Sequence, residues 1–384
     1  MPSEILERLR DAPALRAVAG EPGVWVVGGA VRDTLLGREP RELDLVVEGD
    51  APAVARRAAA RVGGELVVHE RFGTATVRAG ALVVDLASAR RERYPAPGAL
   101  PEVELGATID EDLARRDFTV NAIAVALADG AVARVPHAEE DLRAGRLRVL
   151  HDASFADDPT RLLRLARYAA RLGFAPDPHT AALARAAGLD GVSAERLGAE
   201  LRLLLEEPQP AALEALARYA PALLPGLEPD PPRIAAVLAT APPDARRDLL
   251  ALAAAWRPDD ARLRALGFTA ADRRILLACA RADEVRAALE AAATPSAVRR
   301  VLRRQPVELA VLAGGERARR WLAEWRYVRP AVSGADLLAA GLQGPAIGAG
   351  LEAAAEAQLD GRAPDREAQL AVALARAPAP PTPP

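Results

Sequence analysis

The sequence predicts a mixed α/β or α+β head followed by an all-helical remainder. Two observations carry this. Up to about residue 150, short apolar runs of strand type alternate with helical segments, and from Asp157 to about Ala375 strand signals vanish while Leu, Ala and Arg recur at helical spacing. Strands are expected at Val24–Val27, Leu43–Val47, Glu65–Val68, Thr74–Val77 and Ala81–Leu86. Breaks near Pro176, Pro208 and Pro242 punctuate the helical part, and residues 376–384 read as a disordered or extended proline-rich tail. No internal repeat of fixed period is present.

Composition narrows the function classes. The chain has 384 residues, enough for two or more domains, and 51% of them are hydrophobic, which argues against disorder over most of its length. Cys279 is the only cysteine, so neither an intramolecular disulfide nor a cysteine-based zinc cluster can form. No signal peptide is read at the start and no run of about eighteen apolar residues appears, so the chain reads as cytoplasmic with no membrane partner. Formal net charge is -3, so any nucleic-acid contact must come from local clustering. Lysine is absent, and every phosphate contact would therefore have arginine geometry.

The densest segment is VWVVGGAVRDTLLGREPRELDL, residues 24–45: a buried strand, a Gly-Gly turn, a short helix and a second strand bearing two acids. Gly28 and Gly29 lack Cβ atoms, so backbone N–H groups there can approach a polyanion closely. Arg32, one turn into the helix, adds a planar fork of donors. Residues two apart on a strand share a face, so Glu42 and Asp44 are expected to project together, and paired carboxylates suit Mg²⁺. The ordinary reading of each feature alone is a strand-to-helix turn and a solvated strand face; their combination within about twenty residues favours a phosphate cradle beside a metal site. Neither a Walker loop nor a dinucleotide fingerprint matches.

Asp85 follows four apolar residues. It could complete the metal site as a third acid or simply cap the next turn. The charged, proline-broken stretch ARRERYPAPGALPEVE reads as a mobile loop beside a site. In DLARRDFTVNAIAV, residues 112–125, Arg115, Arg116, Asp117, Thr119 and Asn121 precede an apolar segment; Asp117 could cap a helix, or Arg116, Asp117 and Asn121 could hold phosphate and sugar.

At the domain border, DDPTRLLRLARYAARLGF opens with acids and Pro159 and then runs as helix. Arg161, Arg164, Arg167 and Arg171 fall on one flank and Leu162, Leu165, Ala169 and Leu172 on the other. An arginine stripe is usually a solvated face. Asp158 with Arg161 one turn later nevertheless supplies the acceptors and donors needed to read a base edge. The four histidines, His69, His137, His151 and His179, are scattered and read as structural.

In this order GGAVRD, LDLVV, RFGTATV, VDLASARRERYPAPGALPEVE, RRDFTVNAIA, SFADDPTRLLRLARYAARLGF and SAERLGAEL resemble the class II tRNA nucleotidyltransferases, the family of CCA-adding enzymes and bacterial poly(A) polymerases. SGADLLAAGLQGPAIGAGLEAAAEAQLDG resembles that family's tRNA-binding tail element, so motifs cover roughly half the chain. The resemblance implies an α+β nucleotidyltransferase-type head, a mixed β-sheet with helices over residues 1–150. A helical neck (151–210), body (211–325) and tail (326–375) would follow. It places the metal acids at Glu42 and Asp44, triphosphate contacts at Gly29, Arg32 and Arg116, ribose contacts at Asp117 and Asn121, and base reading at Asp158 and Arg161 with Arg164 and Arg167 nearby. The family's first metal acid is normally Asp; here it is Glu42, whose extra methylene moves the carboxylate by on the order of 1.5 Å.

The implied activity is addition of CMP and AMP to the tRNA 3′ end from CTP and ATP by two-metal-ion catalysis with Mg²⁺. Relatives that add only A, only CC, or poly(A) share these motifs. A non-catalytic RNA-binding protein with a weakened metal site is the alternative from another class.

Overall fold

Valine and tryptophan side chains at residues 24–27 fit a pleated, buried surface, and they form an interior strand, β1 (Val24–Val27), of a seven-stranded sheet. The computed structural model describes residues 2–9 and 12–375, and the proline-rich stretch 376–384 lies outside them. The chain divides into two compact units, Met1–Pro225 and Gly226–Pro384.

In the first unit, helices α1 (Pro2–Leu9) and α2 (Pro13–Ala17) precede β1, and α3 (Gly29–Leu35) follows it directly. Next come β2 (Asp44–Val47), α4 (Ala51–Val62), β3 (Glu65–His69), β4 (Thr74–Ala79) and β5 (Leu82–Ser88). After them lie β6 (Arg90–Arg93), β7 (Glu102–Leu105), α5 (Ile109–Ala114), β8 (Ile123–Ala126) and β9 (Val132–Arg134). The large sheet runs β3-β4-β5-β2-β1-β8-β9. Its pairs are antiparallel except β2 with β5, where Asp44 stands opposite Asp85. Alternation along β5 buries Val84, Leu86 and Ser88 and leaves Val83 and Asp85 on the opposite face. Helix α4 buries Ala51, Val54, Ala55 and Ala58 and packs on β4 and β5, held at its start by Asp50, which accepts from the Ala53 amide at 2.9 Å.

Helices α6 (Ala138–Ala144), α7 (Ser154–Asp157), α8 (Arg161–Leu172), α9 (Pro178–Ala186), α10 (Ala194–Leu205) and α11 (Ala211–Tyr219) complete the unit. Helix α8 buries Leu162, Leu163, Leu165 and Leu172, each contributing roughly 1.5–3 kcal/mol, and ends at Gly173 in the left-handed conformation. The second unit is helical from α12 (Pro231–Ala239) to α22 (Arg366–Ala375). Asp230, Asp259, Thr269, Thr294 and Ser333 cap its helices through side-chain oxygens, and Val332, Leu337, Leu342, Ala354 and Ala373 form one of its cores. No helix among the described residues is long and apolar enough to cross a membrane.

A mixed-sheet head with a largely helical remainder is thus what the chain adopts, with local departures. Strand β2 begins at Asp44, so Glu42 lies in the connection before it and not on the strand. The stretch read as a mobile loop contains an antiparallel ladder, Arg90–Arg93 with Glu102–Leu105, joined by an Arg91–Glu104 ion pair at 3.1 Å. Charged residues on both strands hid this pairing. The apolar run after Asn121 is the buried strand β8, and Asp117 caps no α-helix. Buried on every residue and framed by partners on both sides, that segment gains more from the sheet than from a helix. A two-residue strand, β11 (Ala175–Pro176), pairs with β10 (Arg146–Leu147) inside the stretch expected to be helical throughout.

Candidate active site

The sheet delivers its acids at one end. Val27 pairs with Asp44, and Asp44 with Asp85, so the end of β1, the Gly28 turn and the two acids lie together. Above them opens a cavity of about 690 Å³ lined by Gly28, Gly29, Arg32, Glu42, Asp44, Arg116, Asp117, Asn121, Asp158, Arg161, Arg164 and Arg167. All expected site residues except Asp85 border it. Asp85 faces the adjoining open side of the sheet, where the Thr76 hydroxyl donates to it at 2.5 Å. None of the four histidines borders the cavity; His179, for example, meets Asp152 at 2.7 Å.

Gly28 has φ +67°, a conformation glycine adopts without strain. A Cβ there would stand 2.8 Å from Arg116 Nη1, so the bare backbone is what lets this guanidinium sit on the turn. A Cβ on Gly29 would have 3.6 Å to its nearest neighbour, Arg32 Nη2. Arg116 donates through Nη2 to Asp112 at 3.0 Å, while its buried Nε has no partner. Asp112 has no solvent exposure and also accepts from Arg115 at 2.7 Å. Burial alone would raise its pKa, but Arg115 and Arg116 hold it below the usual carboxylate range.

No hydrogen bond or ion pair ties the carboxylate of Glu42 or of Asp44 among the described residues. Burial pushes the Asp44 carboxyl above its ordinary range, opposed by Arg116 and reinforced by Glu42 and Asp85. A carboxylate at the open mouth of the cavity facing other acids, with no protein cation bonded to it, favours a bound cation. No three His, Cys, Asp or Glu side chains among the described residues gather closely enough to hold a metal by themselves. That agrees with the habit of Mg²⁺, which takes one or two carboxylates and completes its shell with water and substrate phosphates. Glu42 and Asp44 therefore fit such an ion.

A connected polar network forms the rest of the wall. Arg32 is almost fully buried; Nε and Nη2 meet Asp33 and Nη1 donates to Asn121 Oδ1. Asn121 donates to Asp117 Oδ1 at 2.9 Å, and Asp117 Oδ2 takes the Arg164 guanidinium at 2.7 Å. Despite full burial, which raises it, Arg164 and Asn121 bring the Asp117 pKa down to about 2. For Arg164 burial works against the charge, yet Asp117 keeps its pKa well above the usual value. Arg161 is also buried, donating to Ser154 Oγ at 2.6 Å and to the Arg115 carbonyl at 2.9 Å. Asp158 Oδ1 accepts from Thr160 and from Arg196 at 2.8 Å. The arginine stripe of α8 is thus the cavity wall, not a solvated face.

Several wall residues were not read from the sequence. Glu200 on α10 meets Arg164 at 3.3 Å and Arg167 at 3.8 Å; Glu207 takes Arg41 through both oxygens at 3.2 and 3.3 Å; Asp33 bridges Arg32 and Arg171. The ring of Tyr168 lies among Arg32, Arg164 and Arg167. Asp112 stands three and four residues before Arg115 and Arg116 and is legible from that spacing, whereas Glu200 and Glu207 reach the cavity only through packing.

A glycine turn, paired acids and a buried arginine wall at one end of a mixed sheet define a nucleotidyltransferase-type head. The family model for the poly A polymerase head domain matches residues 24–148. The A-adding tRNA nucleotidyltransferase of Halalkalibacterium halodurans is 44% identical over 199 residues, 49% of this chain and 46% of that protein. The CC-adding tRNA nucleotidyltransferase of Deinococcus radiodurans is 44% identical over 208 residues, 53% and 55% of the two chains. The chain spans about half or less of the length of most of the curated relatives it matches. Solved structures match far more of it: a CCA-adding enzyme in an apo form has a TM-score of 0.79 at 29% identity, covering 97% of this chain and 98% of that one. The Thermotoga maritima CCA-adding enzyme complexed with tRNA gives 0.75 at 27% identity with the same coverage. Together these similarities support the class II tRNA nucleotidyltransferase family for this chain. That family generally works with divalent metal ions.

Proposed function

We propose that the chain is a cytoplasmic, template-independent tRNA nucleotidyltransferase that adds CMP and AMP to the tRNA 3′ end from CTP and ATP, releasing pyrophosphate. One observation carries the reading: Arg116, with an unpartnered Nε, rests on the bare Gly28 turn in the same cavity as the unpaired carboxylates Glu42 and Asp44. Matching structures described as complexes with CTP, with ATP and with tRNA support the substrates.

The terminal 3′ oxygen attacks the α-phosphorus, its proton leaves to solvent, and the bond to the β-phosphate oxygen breaks to free pyrophosphate. Glu42 and Asp44 would hold Mg²⁺, which when bound acidifies the attacking hydroxyl and offsets charge on the leaving group. Gly28 and Gly29 present backbone to the triphosphate, Arg116 neutralises its developing charge, and Arg32 backs the cradle. Asp117 and Asn121 hold the ribose side, and Asp158 and Arg161, with Arg164 and Arg167, face the base. Asp85 flanks Asp44 and adds negative charge there. The head (1–150) and neck (151–210) would supply this chemistry, while arginines of the body (211–325) and tail (326–375) meet tRNA phosphates, so affinity should fall with added salt.

A split-function reading, adding only A or only CC, rests on the names of relatives 43–45% identical over about half of this chain, while multifunctional CCA proteins are 41–42% identical over the same share. Sequencing the products made from tRNA ending before the first C, after CC, and complete decides between them. Incorporation on all incomplete ends supports CCA addition, incorporation on one supports a split activity, and none refutes both.

A further inference from the structure

Tyr168 is the one aromatic side chain of α8, and its ring is enclosed by cations. The guanidinium carbons of Arg32, Arg167 and Arg164 stand 5.1, 5.2 and 5.5 Å from the ring centroid. Phe118, fully buried, meets the ring edge-on at 5.9 Å and 87°. Three like charges around one ring would repel strongly, but each has its own acid. Asp33 lies 2.7 Å from Arg32, Asp117 2.7 Å from Arg164, and Glu200 3.8 Å from Arg167. The Tyr168 hydroxyl adds a polar tie, accepting from Arg164 Nη2 at 3.0 Å.

The Arg32 cation and the α8 pair come from separate elements and meet at this ring. Arg32 rises from α3, directly after the glycine turn; Arg164 and Arg167 rise from α8 beside α10. An aromatic quadrupole attracts cations at its faces, and each such contact contributes most where water is excluded. Tyr168 is only 7% exposed, so its ring acts in that regime. We propose that Tyr168 is a positioning residue that locks the phosphate-end guanidinium and the base-end guanidiniums into one rigid frame, its ring holding Arg32 and its hydroxyl orienting Arg164. This rests on reading the cavity as a nucleotide site.

Ring and hydroxyl can be separated. Tyr168→Phe keeps the three cation–ring contacts and deletes only the hydroxyl tie; Tyr168→Leu deletes both. Equilibrium dialysis of the full chain against CTP, ATP and inorganic tripolyphosphate, with thermal melts to set the folded fraction, reads the two ends independently. Tyr168→Leu should weaken tripolyphosphate about tenfold per folded molecule. Tyr168→Phe should bind tripolyphosphate within about twofold of the parent while its CTP-to-ATP affinity ratio moves severalfold, because the base-end arginine has lost its orienting oxygen. In turnover both should raise KM with little change in kcat. A residue serving stability alone would lower the melting temperature and leave these folded-state constants unchanged. Unchanged tripolyphosphate binding by a folded Leu variant overturns the ring's role. If the Leu variant does not fold, the Phe variant decides: an unaltered CTP-to-ATP ratio overturns the proposal. Failure of the parent to bind either nucleotide would refute the nucleotide-site reading itself and the Tyr168 role with it.

Discussion

Asp112 takes Arg115 on Oδ1 and Arg116 on Oδ2, so one fully buried carboxylate fixes the directions of two adjacent guanidiniums. Replacing it by Ala leaves Arg116 without its acid and free to swing from the Gly28 turn, while Arg115 keeps Glu92 at 2.7 Å. Breaking a buried pair in this way costs about 3–5 kcal/mol. Denaturant unfolding should show a loss of that order, and Asp112→Asn, which keeps the acceptor oxygen but not the charge, should lose less.

The two turn glycines should respond differently to alanine. At Gly28 the methyl would enter at φ +67° and 2.8 Å from Arg116 Nη1, so both backbone and guanidinium must shift, at a cost of roughly 1–2 kcal/mol for the backbone alone. Gly29→Ala has 3.6 Å of room and should fold as the parent does. Melting curves of the two variants check this: equal losses would refute the asymmetry.

Acid stability should carry the mark of Asp117. Burial raises its pKa, but Arg164 and Asn121 bring it to about 2, against an unfolded value near 3.9. The lowered folded-state value means the contribution is complete above the unfolded pKa and is lost as pH falls from about 4 to about 2. By linkage it amounts to about 2–3 kcal/mol. Stability against pH for Asp117→Asn should be flatter by that amount in this window, with Arg164 left less well paired at neutral pH.

Asp44 has the opposite sign. Burial raises its pKa, so ionising it destabilises the folded chain relative to the unfolded one as pH rises through the acid range. Asp44→Asn should therefore melt at or above the parent's temperature near neutral pH in the absence of divalent ions. Nucleotide incorporation should nevertheless be lost. A clear drop in melting temperature would show that the carboxylate serves the fold.

Much of this site is legible in sequence because its parts are local. Gly28, Gly29 and Arg32 lie within five residues, Arg115 to Asn121 within seven, and helical spacing alone puts Arg161, Arg164 and Arg167 on one flank. What each arginine does was less legible. Arg32 and Arg161 look like free donors on paper, yet Asp33, Asn121, Ser154 and the Arg115 carbonyl engage them. Glu200 and Tyr168 sit at ordinary helical positions and Glu207 in the bend after α10, and only the packing of α10 and α8 against the head makes wall residues of them. The β6–β7 ladder leaves no sequence signal because its partly exposed strands carry charges where a buried strand would carry an apolar stripe.

The cavity wall begins at Gly28 and ends at Glu207, although the turn and acids at its base are complete by Asp85. During synthesis the chain therefore displays its carboxylates more than a hundred residues before Glu200 and Glu207 emerge to balance the opposite wall's arginines. A polypeptide released prematurely, before that point, would carry the acids without a finished pocket around them.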